Sequence, residues 1–204
     1  GFDVLGSVND RPELGGRFQH PVGTGELAAS FHYRQVQSAF PAQFAGEDSS
    51  PETRYALDGK WDVGIGLWFE MAYIHKHVDA GLLTEQTLLN LGADYTLPIG
   101  NGLGIIVEHL LFTFDQKAFR FTGKQHVSAT SLSYPVSLFG SLSAVGLYTW
   151  RAGEVTMQLN YQHQFPSLTG YVMLFTNPST QVGIQDNELI NQFAGPGARL
   201  MVVK

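Results

Sequence analysis

Two histidines, His75 and His77, stand two positions apart in the stretch IHKHV, and this spacing invites a metal-binding interpretation. In a β-strand they would share one face, because alternate side chains of a strand point to the same side. A metal site needs further ligands, and no third ligand has a supporting spacing. We therefore expect a solvated cluster at the end of a strand and predict no metal site.

Ser128 and His126 form a second pair at the same spacing. A serine becomes a nucleophile when a base lies within hydrogen-bond reach and a third group orients that base. Nothing in the sequence provides an orienting group for His126. The sequence therefore predicts no catalytic residues and a protein that is not an enzyme.

Composition excludes several further kinds of chemistry. The chain has no cysteine, which rules out disulfides, thiolate metal sites and cysteine nucleophiles, and is compatible with a protein of the cell envelope. The net charge is −6 and there is no basic stripe, so nucleic acid is not an expected partner. The glycine patterns of phosphate-binding loops are absent, and no cofactor is predicted.

The stretch VTMQLNYQHQFP, residues 155–166, shows which elements must position these side chains. Every second residue is apolar or aromatic, and the residues between are threonine, asparagine or glutamine. Only a strand with two unlike faces reads this way. Eleven such candidates recur along the chain, and many are close to the length of a tilted membrane-spanning strand. They are 15–22, 26–36, 53–62, 66–76, 87–97, 103–114, 126–136, 142–150, 155–165, 168–177 and 197–204.

The connections between these strands alternate between short and long, with RAGE at 151–154 as the one exception. A meander places every second connection at the same end, so one rim has tight turns and the other has long loops. This asymmetry is typical of transmembrane β-barrels. The long loop 37–52, which contains Phe40 and Phe44, could form a constriction or a contact surface.

Charged residues lie in the middle of the polar faces, for example Asp58, Glu70 and Asp94. In a soluble barrel the apolar face would fill the centre, and eleven strands would need far more filling than one residue in two supplies. We therefore predict that the apolar face contacts lipid and the polar face encloses water. Closure would leave no unpaired backbone edge in hydrocarbon.

These features resemble bacterial outer-membrane β-barrel proteins of the porin-like kind. The resemblance rests on the alternating strands, the turns PIGNG and GTGE, and the segment GPGARLMVVK, where Gly197, Leu200 and Val202 follow the spacing of a C-terminal assembly signal. It implies an all-β fold, an antiparallel up-and-down transmembrane β-barrel with about 11–12 strands in this chain, located in the bacterial outer membrane. We expect one barrel domain over residues 1–204, with 1–14 as a loop or the remnant of an upstream connection.

Two features predict that this chain is the C-terminal part of a larger barrel, or that its N-terminal strands are not represented here. The first clear strand, 15–22, runs into a short turn and must begin at the loop rim, whereas both ends of such barrels normally lie at the turn rim. An odd strand count conflicts with the even number in bacterial single-chain barrels. The terminal aromatic residue of the family is absent, and the chain stops at Lys204, so the sequence does not establish that the true C-terminus is present.

The polar face supplies the candidate functional residues, all predicted to line a lumen or bind solute there. They are Glu26, His32, Arg34, Asp58, Lys60, Glu70, Asp94, Glu108, Gln158, Asn160 and Gln162. Acidic residues outnumber basic ones on this face, so an open pore would mildly favour cations. Mixed signs also allow a network that plugs the barrel.

The predicted function is a porin-like channel for small polar solutes or ions. The alternative is a non-conducting barrel that anchors an outer-membrane assembly. Expected partners are membrane lipid, small polar solutes or ions, and other envelope proteins at the long loops. Outer-membrane enzymes are the rival class: a phospholipase would need serine, histidine and asparagine aligned on a lipid-facing wall, and Ser128 with His126 is the nearest approach.

Overall fold

The structure, a computed structural model, describes residues 1–7, 12–37, 49–118, 120–178 and 195–204. In these residues twelve strands form one antiparallel sheet, whose strand order is the order of the chain. The strands are β1 (Phe2–Ser7), β2 (Glu13–Val22), β3 (Gly25–Gln37), β4 (Ser49–Asp62), β5 (Gly66–Lys76), β6 (Glu85–Leu97), β7 (Leu103–Asp115), β8 (Gly123–Pro135), β9 (Gly140–Thr149), β10 (Glu154–Gln164), β11 (Thr169–Asn177) and β12 (Gly195–Val203).

This is the strand order of an up-and-down meander, so the predicted all-β, antiparallel up-and-down fold is confirmed. The one helical element in the described part of the chain is a short 3₁₀ helix, Gly81–Leu83, between β5 and β6. No helix there is long and apolar enough to cross a membrane.

Phe2–Ser7 form a strand, β1, within 1–14, for which the sequence predicted a loop or the remnant of an upstream connection. β1 pairs with β2 from Phe2↔Phe18 to Ser7↔Glu13, and the rings of Phe2 and Phe18 lie 5.1 Å apart. β2 itself begins at Glu13, before the predicted start at residue 15. Since the described strands number twelve rather than eleven, the argument from an odd count no longer applies. The larger barrel stays a prediction.

The alternation of short and long connections follows from the strand bounds. At one end of the sheet the connections are residues 23–24, 63–65, 98–102, 136–139 and 165–168. At the other end they are 8–12, 38–48, 77–84, 116–122, 150–153 and 178–194. We call these ends the turn rim and the loop rim. The connection 150–153 is the short exception that the sequence predicted. Residues 38–48, with Phe40 and Phe44, lie outside the described residues.

The described residues form two compact units. Unit 1 comprises Gly1–Gly92 and Leu110–Gln125, and unit 2 comprises Ala93–His109 and His126–Lys204. Strands β6, β7 and β8 contribute residues to both. One domain over 1–204 stays a prediction.

The register aligns apolar residues of neighbouring strands on one face, which we call the apolar face. In unit 1 Leu57 of β4 pairs with Ala29 of β3 and Met71 of β5. In unit 2 Leu159 of β10 pairs with Ala144 of β9 and Leu174 of β11. The leucines and the methionine in these pairs are large hydrophobic side chains, and all of them are exposed.

The opposite face, which we call the polar face, holds no hydrophobic core either. Ala28, at 2% exposed, is the one buried hydrophobic residue among those described, and it lies on the polar face opposite Asp58.

Met157, on the apolar face of β10, is 55% exposed. Among the described residues the apolar side of the sheet is therefore not packed into a protein core, and its contact with lipid stays a prediction.

Candidate functional site

The polar face of unit 1 brings together six of the predicted lumen residues. They are Glu26, His32, Arg34, Asp58, Lys60 and Glu70. The register places Glu26 opposite Lys60 on β3 and β4, and Asp58 opposite Glu70 on β4 and β5. Glu26, Lys60 and Glu70 are exposed, whereas Asp58 is half-buried.

Asp58 is held by Arg17 of β2, a residue that the sequence did not single out. The guanidinium donates from Nη1 to Oδ1 at 2.6 Å and from Nη2 to Oδ2 at 2.7 Å, so the pair is bidentate. Nη1 also donates to the Ser30 hydroxyl at 3.1 Å. Arg17 neutralises Asp58 and leaves Glu70 facing an acid that is already paired.

Glu52 is the centre of a second ionic network on the same face, near the loop rim. Glu52 is only 3% exposed. One carboxylate oxygen accepts hydrogen bonds from Nε of Arg34, at 3.2 Å, and from Nε of Arg54. Glu52 was not among the predicted residues, because the sequence predicted it to lie in the long loop 37–52 and not in a strand.

Two further contacts link neighbouring strands on this face. The Gln19 amide donates to the Glu26 carboxylate, and Nε2 of His32 lies 3.8 Å from a carboxylate oxygen of Glu13. The predicted residues of unit 1 therefore do share one surface, and most of them are cross-linked by ion pairs or hydrogen bonds.

The predicted residues of unit 2 are more scattered. Gln158, Asn160 and Gln162 follow one face of β10, and Oδ1 of Asn160 is buried with no hydrogen-bond partner among the described residues. Asp94 is exposed on β6, and Glu108 is half-buried on β7. Since β7 and β10 are not neighbouring strands, the register does not bring the five together.

A polar cluster interrupts the apolar face of unit 1 near the loop rim, and we call it the Glu85 cluster. It consists of Thr53, Tyr73, His75, His77 and Glu85. The Glu85 carboxylate accepts the Tyr73 hydroxyl at 2.6 Å and contacts Nδ1 of His75 at 2.9 Å. Thr53 Oγ1 lies 2.7 Å from Nε2 of His77, and the two imidazole rings are 4.8 Å apart.

The Glu85 cluster lies at a strand end, as the sequence predicted, and His77 is exposed there. The sequence did not predict the partners of the two histidines: Thr53 is buried and Glu85 is 9% exposed. Hydrogen bonds between protein groups hold the cluster together. Among the described residues no three His, Cys, Asp or Glu side chains are placed to bind a metal ion.

A second polar cluster lies on the apolar face of unit 2, and we call it the Ser128 cluster. It consists of His109 of β7, His126 and Ser128 of β8, and Trp150. Nδ1 of His109 lies 2.9 Å from the Ser128 hydroxyl, and Nε2 of His109 lies 3.2 Å from Nδ1 of His126. The Trp150 indole N–H donates to the same hydroxyl at 2.9 Å.

The Ser128 cluster contradicts the expectation that nothing orients a histidine near this serine. The sequence drew attention to His126, which shares a strand with Ser128, but the imidazole that contacts the hydroxyl belongs to His109 on the neighbouring strand. His126 contacts the far nitrogen of that ring. The Ser128 hydroxyl, the His109 imidazole and the His126 imidazole therefore contact one another in series, which is the spatial order that activation of a hydroxyl by an oriented base requires.

An apolar groove of about 540 Å³ begins beside this cluster. Its first residue, Thr130, follows Ser128 on the same face of β8, roughly 6.6 Å along the strand. The groove then crosses β9, β10 and β11. Its lining includes Leu132, Ala144, Gly146, Met157, Leu159 and Leu174.

The strand order and the two faces of the sheet together define the class of fold. It is an antiparallel up-and-down sheet with an exposed apolar face, as in transmembrane β-barrels. No family model matches the sequence, and no curated protein matches it. Solved structures do match. One is the outer membrane phospholipase A from Escherichia coli, 12% identical with a TM-score of 0.39; the match covers 95% of this chain and 80% of that chain.

This comparison contradicts the prediction that the chain is not an enzyme, because the matched structure is that of a phospholipase by name. The prediction is therefore withdrawn. At 12% identity and a TM-score of 0.39, the likeness assigns no activity to this chain. The porin-like identity receives no support from the comparisons and stays a proposal.

Proposed function

We propose that this chain forms a β-barrel of the bacterial outer membrane whose polar face lines a porin-like channel for small polar solutes or ions. The observation that carries the proposal is the pair of opposed faces. Large apolar side chains are exposed on one face, and charged side chains in mid-strand, such as Lys60 and Glu70, are exposed on the other. Lipid on the first face and water on the second would satisfy both.

The charges of the polar face favour a weak preference for cations. In unit 1 the ion pairs Arg17–Asp58 and Arg34–Glu52 remove two acids and two bases from the count. Glu70 remains exposed to water. An exposed carboxylate in the middle of a strand would attract cations and repel anions in a pore.

A second candidate is a non-conducting barrel that anchors an outer-membrane assembly. The observation that favours it is the cross-linking of the polar face by the Arg17–Asp58 and Arg34–Glu52–Arg54 networks. Such networks could fill the interior. In that case the long loops would serve as the contact surface for other envelope proteins, and lipid would remain the partner of the apolar face.

Conductance across a planar lipid bilayer separates the two candidates. Steady single-channel conductance supports the channel, and a folded but silent barrel supports the anchor. Under a salt gradient, Glu70→Lys should shift the reversal potential toward that of an anion-selective pore, with Glu70→Gln intermediate. The same charge change at Asp79, in the connection 77–84, is the control and should leave the potential unchanged. An unchanged potential in Glu70→Lys would remove Glu70 from the pore lining.

A further inference from the structure

We propose that Ser128 and His109 are the catalytic pair of a serine esterase site on the apolar face, that His126 is its positioning residue, and that the substrate is an acyl ester of a membrane lipid. The site lies on the face opposite the proposed channel lining. A test of this proposal is therefore independent of whether the chain conducts ions.

The hydrogen bonds of the Ser128 cluster allow the direction that the reaction requires. The Trp150 indole N–H can only donate, so the Ser128 oxygen accepts from it. We assign the hydroxyl proton to Nδ1 of His109, 2.9 Å away, and the proton on Nε2 of His109 to a hydrogen bond with Nδ1 of His126, 3.2 Å away. These tautomers are part of the proposal, because the hydroxyl has a second lone pair and the distances alone do not place the protons. In this arrangement the unprotonated nitrogen of His109 faces the serine hydroxyl.

The backbone fixes this geometry. Ser128 pairs with Tyr148 on β9, and the backbone N–H of Trp150 donates to the carbonyl of His126 at 3.0 Å. The imidazoles of His109 and His126 are 5.4 Å apart between ring centres. The side chains that would react are therefore carried by hydrogen-bonded strands, which position groups more closely than loops do.

The chemistry balances with these groups and water. Ser128 Oγ attacks the ester carbonyl carbon while its proton passes to Nδ1 of His109, giving a tetrahedral oxyanion. The oxyanion collapses, the C–O bond to the alcohol breaks, and the alcohol oxygen takes the proton from His109. Water then attacks the acyl-serine, His109 accepts and returns one proton, and a fatty acid leaves. His126 accepts a hydrogen bond from the imidazolium at each stage.

The position of the site indicates the substrate class. It lies on the exposed apolar face, and Tyr148 and Trp150 beside it are exposed, as expected for aromatic residues at the level of lipid headgroups. Ester bonds of lipids lie between the headgroups and the acyl chains. A lipid whose ester reaches Ser128 would extend its acyl chain along the apolar groove that begins at Thr130. The groove volume is within the range of ordinary ligand sites.

The test uses the full chain folded into vesicles of phosphatidylethanolamine and phosphatidylglycerol. Folding is checked by the heat-dependent shift of electrophoretic mobility. Fatty-acid release is measured, and a fluorophosphonate probe followed by peptide mass spectrometry identifies the labelled serine. We expect release of fatty acid and labelling of Ser128. Ser128→Ala and His109→Asn should each reduce both by at least about a hundredfold.

The control is Thr53→Val, which removes the hydroxyl of the other hydroxyl–histidine pair and should leave both readouts unchanged. The role of His126 is tested by rescue: His126→Leu should abolish labelling, whereas His126→Gln keeps an acceptor for His109 and should retain labelling within about tenfold.

Three results would overturn the proposal. One is a folded wild-type chain that neither releases fatty acid nor labels at Ser128, and another is full hydrolysis by Ser128→Ala. Labelling without release of fatty acid would overturn the lipid substrate. Conductance of Ser128→Ala should equal that of the wild type, so failure here is distinguishable from failure of the channel.

Discussion

The Glu85 cluster and the Ser128 cluster occupy comparable places and differ in chemistry. Each interrupts the apolar face near the loop rim, and each contains two imidazoles in contact. The first contains a carboxylate that a phenol and an imidazole already satisfy. The second contains no carboxylate, and a hydroxyl there lies 2.9 Å from an imidazole nitrogen. The comparison separates a cluster that stabilises the sheet from one that is arranged for proton transfer.

Glu85→Ala should have the largest effect on stability of the substitutions that test this contrast. It leaves the Tyr73 hydroxyl and Nδ1 of His75 without their acceptor, and we expect the free energy of unfolding to fall by about 2–3 kcal/mol. Urea titration of the folded protein in lipid vesicles measures it. Glu85→Gln, which keeps an acceptor oxygen, should lose less. If Glu85→Ala unfolds at the wild-type urea concentration, the cluster does not stabilise the sheet.

Thr53→Val should lower the free energy of unfolding by about 1 kcal/mol, because it removes a buried hydroxyl from His77 without changing the side-chain shape. The matched control is Thr87→Val on β6, since the Thr87 hydroxyl makes no hydrogen bond within the part of the chain that the structure describes. Equal losses in the two variants would show that the Thr53–His77 contact adds nothing.

Trp150→Phe should have the smallest effect, within about 0.5 kcal/mol of wild type in the same titration. The ring is 57% exposed and stays aromatic, although it becomes smaller, and the N–H that donates to Ser128 is lost. Its rate of fluorophosphonate labelling should nevertheless change, because that N–H contacts the reacting oxygen. A stability loss as large as that of Thr53→Val would instead place the Ser128 cluster among the structural ones.

Much of the fold could be predicted because alternation is a local property of a strand. The faces of β3, β4 and β10 follow directly from residues spaced by two. β1 escaped prediction because six residues that include Gly6 are too few for alternation to show. Its strand character comes from its pairing with β2, which is information carried by a different segment.

The site was predictable only where its members share a strand. His126 and Ser128 are two residues apart on β8, so their common face is visible in the sequence. His109 lies on β7, whose faces are both largely apolar, so the pattern distinguishes the two faces only weakly. Its approach to Ser128 depends on how β7 and β8 are aligned across the connection 116–122, and loop length alone does not fix that alignment. Arg17 was missed for the same reason, since it meets Asp58 across two strand pairings.

Ala28 is the one buried hydrophobic residue that the described part of the chain contains. The described part of the sheet therefore has almost no hydrophobic core of its own. In the proposed membrane barrel, the burial that drives folding in most proteins would come from the surrounding bilayer. Lipids with shorter or longer tails would cover a different share of Leu57, Met71 and their neighbours. Resistance to unfolding should therefore follow the thickness of the host membrane, and one sequence would have a different stability in each membrane that receives it.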